Sequence, residues 1–251
     1  MIKGTVLIST CFLASPVVAE ITCGKAPFEN DQRLTDIYRS LRHATQDFAA
    51  LNDLLENKVS LCISDTLRDA VGYLEPETQQ IVFAAGLSTG MIQAVGVHEL
   101  RHAQQYADGL CPKMNLSMKE FAEGVFAMEA DASVTSLVVA TRLRNHDTPE
   151  MWNALAHWPM QYDIAATFDR VLQSTSDMRL AASGAFSQWY TNPIRVTAYY
   201  TGACMEYLDQ MDREKLLPRY ESLEDGFYDA LCYLPNGESY PCAKPECSTC
   251  Q

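Results

Sequence analysis

The chain has 251 residues, of which 47% are hydrophobic and 20% are charged, a composition typical of a globular protein long enough for one well-buried domain. Its formal net charge of −13 argues against a nucleic-acid-binding protein, which needs a basic surface to neutralise phosphates. The same charge argues against docking on an anionic lipid surface.

The first 19 residues have the three parts of a secretory signal peptide. Lys3 supplies the positive charge, residues 5–14 are apolar, and "VVA" at residues 17–19 is a small-residue cleavage pattern. The apolar run is too short to span a bilayer, and Thr10 is a poor residue before a lipidated cysteine at Cys11. We therefore predict export to the periplasm or medium, cleavage after Ala19 and no membrane span.

The first half of the remaining chain predicts helix, strands and helix in turn. Residues 30–57 follow helical spacing, whereas residues 60–64 and 79–85 are short runs rich in β-branched or aromatic residues. A helix over residues 91–107 is then stopped by Gly109 and Pro112.

The second half is predicted to be helical until its last segment. Ser117 can cap a helix running to about residue 145, and Glu120 can reach back to complete a capping box. Further helices are predicted over residues 150–175 and 195–211. These elements predict a mainly α (α+β) fold, with a helical domain over residues 20–234 and a cysteine-rich tail over residues 235–251.

The cysteine count fits an oxidising compartment. Beyond Cys11, eight cysteines remain, an even number that predicts up to four disulfides and few or no free thiols: Cys23, Cys62, Cys111, Cys204, Cys232, Cys242, Cys247 and Cys250. Eight cysteines allow 105 complete pairings, and the sequence does not choose among them. An alternative for the last four cysteines is a four-thiolate zinc site.

The segment "VHELRHAQQ", residues 97–105, contains the candidate metal ligands. His98 and His102 are four residues apart, so a helix presents both imidazoles to one ion. Glu99 lies about 100° further round the helix, where it can act on a water at that ion. This is the H-E-x-x-H pattern of zinc metalloproteases, although a solvated helix surface could also carry these residues.

A third ligand is predicted on the following helix. Glu129 falls on the apolar side of that helix, and a carboxylate facing the core needs a metal or a cationic partner. The alternatives are a Glu129 that reaches solvent or pairs with Arg101, and His146 or His157 as the third ligand.

The strings "HELRHAQQ" and "EADAS" resemble the gluzincin branch of zinc metallopeptidases and related bacterial metallopeptidase domains. The resemblance covers roughly residues 79–140 and implies a zincin-like fold. It also implies His98, His102 and Glu129 as ligands of one Zn²⁺ per chain and Glu99 as general base. The chain lacks the third histidine of the longer metzincin motif. No residue stands out as the tyrosine or histidine that stabilises the oxyanion in better-known gluzincins.

Asp131 is predicted to support the metal ligands from outside the coordination sphere. Histidines that bind a metal usually donate their other N–H to a carboxylate or a carbonyl, which fixes their tautomer. Asp131 lies two residues beyond Glu129 and is therefore a candidate for that partner.

Together these features predict an exported zinc metallopeptidase that hydrolyses peptide bonds through a zinc-activated water, with Glu99 as general base. Its partners would be peptide or protein substrates, and residues 79–85 would be the edge strand that pairs with them. The sequence carries no signal for an oligomeric state. The alternatives are a zinc-binding module without catalysis and a disulfide-stabilised helical binding protein without metal.

Overall fold

The computed structural model describes residues 21–244 except residues 27, 29, 30 and 69. The predicted signal peptide, Cys11, Cys247 and Cys250 lie outside the described residues. The elements in chain order are β1 (Ile21–Gly24), α1 (Gln32–Thr45), α2 (Ala49–Asp53), a π-helical turn (Leu54–Lys58), β2 (Ser60–Ser64), β3 (Gly72–Glu75), β4 (Gln80–Ala84), α3 (Thr89–Ala107), α4 (Met118–Arg144), α5 (Glu150–His157), α6 (Tyr162–Thr175), α7 (Met178–Trp189), α8 (Pro193–Glu214) and α9 (Phe227–Leu231). The predicted mainly α fold, with a small sheet before the histidine helix, is confirmed.

The sheet has the strand order β1-β2-β4-β3. β2 and β4 run parallel, whereas β1 and β3 pair antiparallel to their neighbours. β4 therefore lies inside the sheet, and the prediction that residues 79–85 form the edge strand is wrong. Alternation of apolar residues shows which side chains face the core, but it does not show which strands are neighbours.

The long helix α4 forms the centre of the molecule and packs against α3, α5, α7 and α8. Most of its residues are buried. Among the described residues it is the one helix long and apolar enough to cross a membrane, yet its apolar window is wholly buried inside the fold. The burial is that of a core helix, which positions α4 to bring polar side chains into the interior beside α3.

At the start of α4, the structure agrees with the prediction for Ser117 and differs from the prediction for Glu120. Ser117 Oγ accepts a hydrogen bond from Glu120 N (3.2 Å), as a cap should. The Glu120 carboxylate does not complete the predicted capping box, because it accepts from Leu223 N (3.0 Å) and Lys244 Nζ (3.2 Å). Glu120 thus ties the start of α4 to the C-terminal part of the chain.

Two predicted helices are each divided. The helix predicted over residues 30–57 is interrupted before α2, where Phe48 has non-helical backbone angles and a buried side chain. The helix predicted over residues 150–175 is interrupted after α5, where Trp158 is extended because it precedes Pro159. Helical spacing of apolar residues continues across the first break, so it could not reveal it.

The described cysteines are mostly paired. Disulfides join Cys23 to Cys62 and Cys232 to Cys242, and Cys111 is also disulfide-bonded. Because Cys232 and Cys242 pair, the alternative of a four-thiolate zinc site in the tail is wrong. Among the described cysteines Cys204 carries a free thiol, which agrees with the prediction of few or no free thiols.

Candidate metal centre

The histidine helix α3 begins at a serine cap and presents two imidazoles at one buried point. Ser88 Oγ accepts a hydrogen bond from Met91 N (3.3 Å). One turn separates His98 from His102, and their Nε2 atoms are 3.0 Å apart. The two residues are 2% and 1% exposed, so their Nε2 atoms meet in the interior and not at a solvated surface. The alternative of a solvated helix surface is therefore wrong.

Helix α4 brings Glu129 to the same point. The Glu129 carboxylate oxygens lie 3.1 Å from His98 Nε2 and 3.4 Å from His102 Nε2. One ligand atom of each residue lies within 4.8 Å of the others, and all three side chains are buried. The structure thus brings together the three side chains that the sequence singled out.

The spacing of the three side chains fits a single metal ion. Tetrahedral ligands about 2.0–2.1 Å from zinc lie roughly 3.3 Å from one another. The three separations here are 3.0, 3.1 and 3.4 Å, so an ion can fit between the groups with small adjustments. Three protein ligands leave a fourth position, which is the pattern of catalytic zinc sites.

The electrostatics of the cluster favour a positive charge beside Glu129. Burial opposes ionisation of Glu129, yet His102 and His98 lower its pKa to about 2. Burial also opposes a charge on His102, but Glu129, with smaller effects from Glu99 and Gln105, raises the pKa of His102 to about 9. A proton on His102 supplies this charge in the metal-free protein, and a divalent cation would supply a larger one by displacing that proton.

Asp131 is connected to His102 through Gln105 and does not contact it directly. His102 Nδ1 bonds Gln105 Oε1 (2.8 Å), and Gln105 Nε2 donates to Asp131 Oδ2 (2.8 Å). The predicted carboxylate–histidine contact is therefore mediated by Gln105. Arg101 donates to Asp131 through Nε (2.6 Å) instead of neutralising Glu129, which removes the alternative partner considered for Glu129.

Glu99 is buried beside the cluster. It is fully buried on α3, and its charge acts on both His102 and Tyr199. Since it follows His98 directly, it lies about 100° round the helix from that ligand. A carboxylate in this position can accept and return a proton next to the three-residue cluster.

Tyr199 is a site residue that sequence reasoning missed. It lies on α8 and is 3% exposed, and its hydroxyl interacts with the Glu129 carboxylate. Burial and the charges of Glu129 and Glu99 raise its pKa well above the usual value, so it remains a proton donor. The residues around Tyr199 form no recognisable motif. Its place in the helical pattern of α8 is also the one that an ordinary core residue would have.

The rival histidines do not join the cluster. His146 and His157 are exposed near the ends of α4 and α5. His157 Nδ1 bonds Asn153 O (2.7 Å) within its own helix. Neither belongs to the metal-ligating group found among the described residues.

Comparison with known proteins supports the chemistry of this site. A family model matches residues 17–242, which include the cluster residues His98, His102 and Glu129 as well as Glu99. No curated protein and no solved structure matches the chain. The match and the buried His–His–Glu group support a metal-dependent peptidase in general. The chain belongs to the Putative metallopeptidase family (DUF6782).

Proposed function

We propose that the protein is an exported, zinc-dependent metallopeptidase of the gluzincin type. The observation that carries this proposal is the buried meeting point of His98 Nε2, His102 Nε2 and the Glu129 carboxylate. Two imidazoles and one carboxylate are the ligand set of several catalytic zinc sites, and imidazole ligands disfavour magnesium and calcium. The site takes one Zn²⁺ per chain.

Each side chain has a separate task in peptide hydrolysis. A zinc ion held by His98, His102 and Glu129 would supply the Lewis acidity that activates a water and polarises the scissile carbonyl. Glu99 accepts the proton that this water gives up and passes it to the leaving amine. Tyr199, whose hydroxyl interacts with Glu129, would help to orient the carboxylate toward the two imidazoles.

An extended peptide would bind along β3 rather than β4. β3 is an edge strand of the sheet, pairs antiparallel with β4 and packs against α3. An exposed strand edge offers backbone donors and acceptors to a substrate in the same conformation. This placement brings a bound peptide alongside the helix that carries His98, Glu99 and His102.

Export is the setting that we propose for this activity. The signal-peptide pattern of residues 1–19 predicts it, and the Cys23–Cys62 and Cys232–Cys242 disulfides are consistent with an oxidising compartment. The processed chain would begin at Glu20, immediately before β1.

The test is the substitution Glu99→Gln, made in protein purified from the exporting compartment. Loss of the general base should lower peptide hydrolysis by at least about 10²-fold. Zinc content, measured by elemental analysis, should stay at one equivalent because Glu99 is not a ligand. Asp108→Asn is the matched control, since it changes an exposed carboxylate of the same helix region to an amide.

The substrates for this test are the envelope proteins of the exporting cell and a mixed peptide library. Loss of zinc from Glu99→Gln with activity retained would make Glu99 a ligand and overturn its assigned role. Zinc in both proteins with no hydrolysis of any substrate by the wild type would favour the non-catalytic zinc-binding module. Wild-type protein that binds no metal would contradict both functions.

A further inference from the structure

A loop near the C-terminus is closed on itself and packed into the interior. We call residues 232–242 the C-terminal loop; the Cys232–Cys242 disulfide joins its ends. Tyr240 N donates to Cys232 O (3.0 Å), and Leu234 N donates to Glu238 O (2.8 Å). Tyr240 is 3% exposed, so the loop inserts this aromatic side chain into the core.

The C-terminal loop forms hydrogen bonds with Asp131 on α4 and Arg101 on α3, the two helices that carry the candidate metal ligands. The Tyr240 hydroxyl donates to Asp131 Oδ1 (2.8 Å). Arg101 Nη2 donates to the carbonyl oxygens of Leu231 (2.8 Å) and Tyr233 (3.2 Å), at the start of the loop. Asp131 is fully buried, and its other oxygen accepts from Arg101 and Gln105. Three donors, two from α3 and one from the C-terminal loop, therefore hold one carboxylate.

These contacts determine which atom donates in each hydrogen bond from Asp131 through Gln105 to His102. The Asp131 carboxylate pairs with the Arg101 guanidinium and only accepts, and the Met128 carbonyl that Gln105 Nε2 also contacts (3.1 Å) only accepts. The Gln105 amide nitrogen must therefore face these two oxygens, and its carbonyl Oε1 must face His102. Because Oε1 is an acceptor, His102 Nδ1 carries a proton. A metal can then take the lone pair of His102 Nε2.

We propose that Tyr240 is a positioning residue for the metal centre, acting through Asp131 and Gln105 on the tautomer and orientation of His102. The proposal rests on the proposed function, because it assigns His102 as a metal ligand. Under this proposal, the disulfide-closed C-terminal loop helps to hold a metal ligand in position. The loop lies more than a hundred residues beyond the histidine helix in the sequence.

The physical reason is that the Tyr240 hydroxyl supplies a hydrogen-bond donor to a buried oxygen of Asp131. Without it, Asp131 Oδ1 is a buried carboxylate oxygen that has lost a donor. Asp131 can then rotate toward other donors and loosen its hold on Gln105. A Gln105 amide that is free to flip would offer its NH₂ group to His102 Nδ1, which favours the tautomer whose Nε2 carries the proton and cannot bind a metal.

The experiment is the substitution Tyr240→Phe, which removes the hydroxyl and keeps the ring. Zinc affinity, measured by competition with a chelator of known affinity, should fall by about 10- to 100-fold, the usual effect of losing an outer-shell partner. Tyr220→Phe, at an 83% exposed tyrosine, is the matched control and should bind zinc as the wild type does.

A second readout separates positioning from general destabilisation. Proton NMR of the zinc-loaded wild type, with ¹⁵N-labelled histidine, should show a slowly exchanging Nδ1–H proton on His102. In Tyr240→Phe that proton should exchange faster with solvent, while the circular dichroism spectrum of the metal-free variant matches that of the metal-free wild type.

The outcomes distinguish this inference from the proposed function. If the wild type binds zinc and folded Tyr240→Phe binds it equally well, the positioning role is wrong and the proposed function stands. If the wild type binds no metal, the proposed function fails first. Should Tyr240→Phe not fold, the double substitution Cys232→Ser and Cys242→Ser opens the loop and keeps the tyrosine. Unchanged zinc affinity in that folded variant would overturn the inference.

Discussion

His98 and His102 each supply one of the three candidate ligand atoms of the metal centre. Replacing either with Ala leaves one imidazole and one carboxylate, which do not hold a zinc ion tightly. We expect stoichiometric zinc to be lost from both variants, as measured by elemental analysis after dialysis. His157→Ala, at an exposed histidine that bonds only within its own helix, should keep the full equivalent. One equivalent of zinc retained in both cluster variants would place the metal elsewhere.

At the residue scale, the sequence could identify side chains whose spacing is tied to their chemistry. Four-residue spacing follows from helix geometry, which is why the two histidines could be paired before the fold was known. Glu129 could be found because a carboxylate on an apolar helix face needs a partner. Tyr199 and Tyr240 come from distant parts of the chain and look like ordinary core aromatics. Only the tertiary fold shows that the Tyr199 hydroxyl interacts with Glu129 and that the Tyr240 hydroxyl donates to Asp131.

At the element scale, the position of α3 depends on a close approach to α5 at Gly90. A Cβ added at Gly90 would lie 2.2 Å from the Glu150 carbonyl oxygen, which is backbone and cannot move aside alone. Gly90→Ala should therefore push the two helices apart and lower the free energy of unfolding by about 1–3 kcal/mol. Thermal denaturation should show a midpoint lower by roughly 2–4 °C for each kcal/mol.

Gly184→Ala on α7 is the matched control for that prediction. Its added Cβ would meet a methyl group of Val171 at 3.1 Å, and a side chain can give way by a few tenths of an ångström. Alanine also favours helix over glycine by about 0.5–1 kcal/mol, so this variant should be as stable as the wild type or more stable. Equal destabilisation by both substitutions would show that the backbone contact at Gly90 is not decisive.

The elements predicted most accurately are the helices whose ends are marked by capping or helix-stopping residues. α3 and α4 lie within two residues of their predicted bounds because Ser117, Gly109 and Pro112 mark where helices begin or stop. β1, β3, α7 and α9 were not predicted, since these segments are short or lack a distinctive apolar period. The neighbours of β4 depend on pairing across the sheet, which no local pattern records.

At the scale of the whole molecule, one disulfide links β1 to β2 and another closes the C-terminal loop. Non-reducing digestion with mass spectrometry should recover Cys23 joined to Cys62 and Cys232 joined to Cys242. Cys204 should be recovered alkylated when the unfolded protein is treated with iodoacetamide before digestion. A peptide in which Cys204 is joined to another cysteine would contradict this pattern.

Under the proposed export, the cysteine pattern also has a consequence for how the protein matures. An oxidase that joins thiols in the order in which they cross a membrane would link Cys23 to Cys62 correctly, because no cysteine separates them. The next two cysteines to emerge are Cys111 and Cys204, and the native fold does not join them, since Cys204 stays reduced while Cys111 is oxidised. Sequential oxidation would therefore form a non-native bond at this point, and correcting it requires thiol–disulfide exchange. The yield of active protein should depend on a disulfide isomerase in the host that produces it.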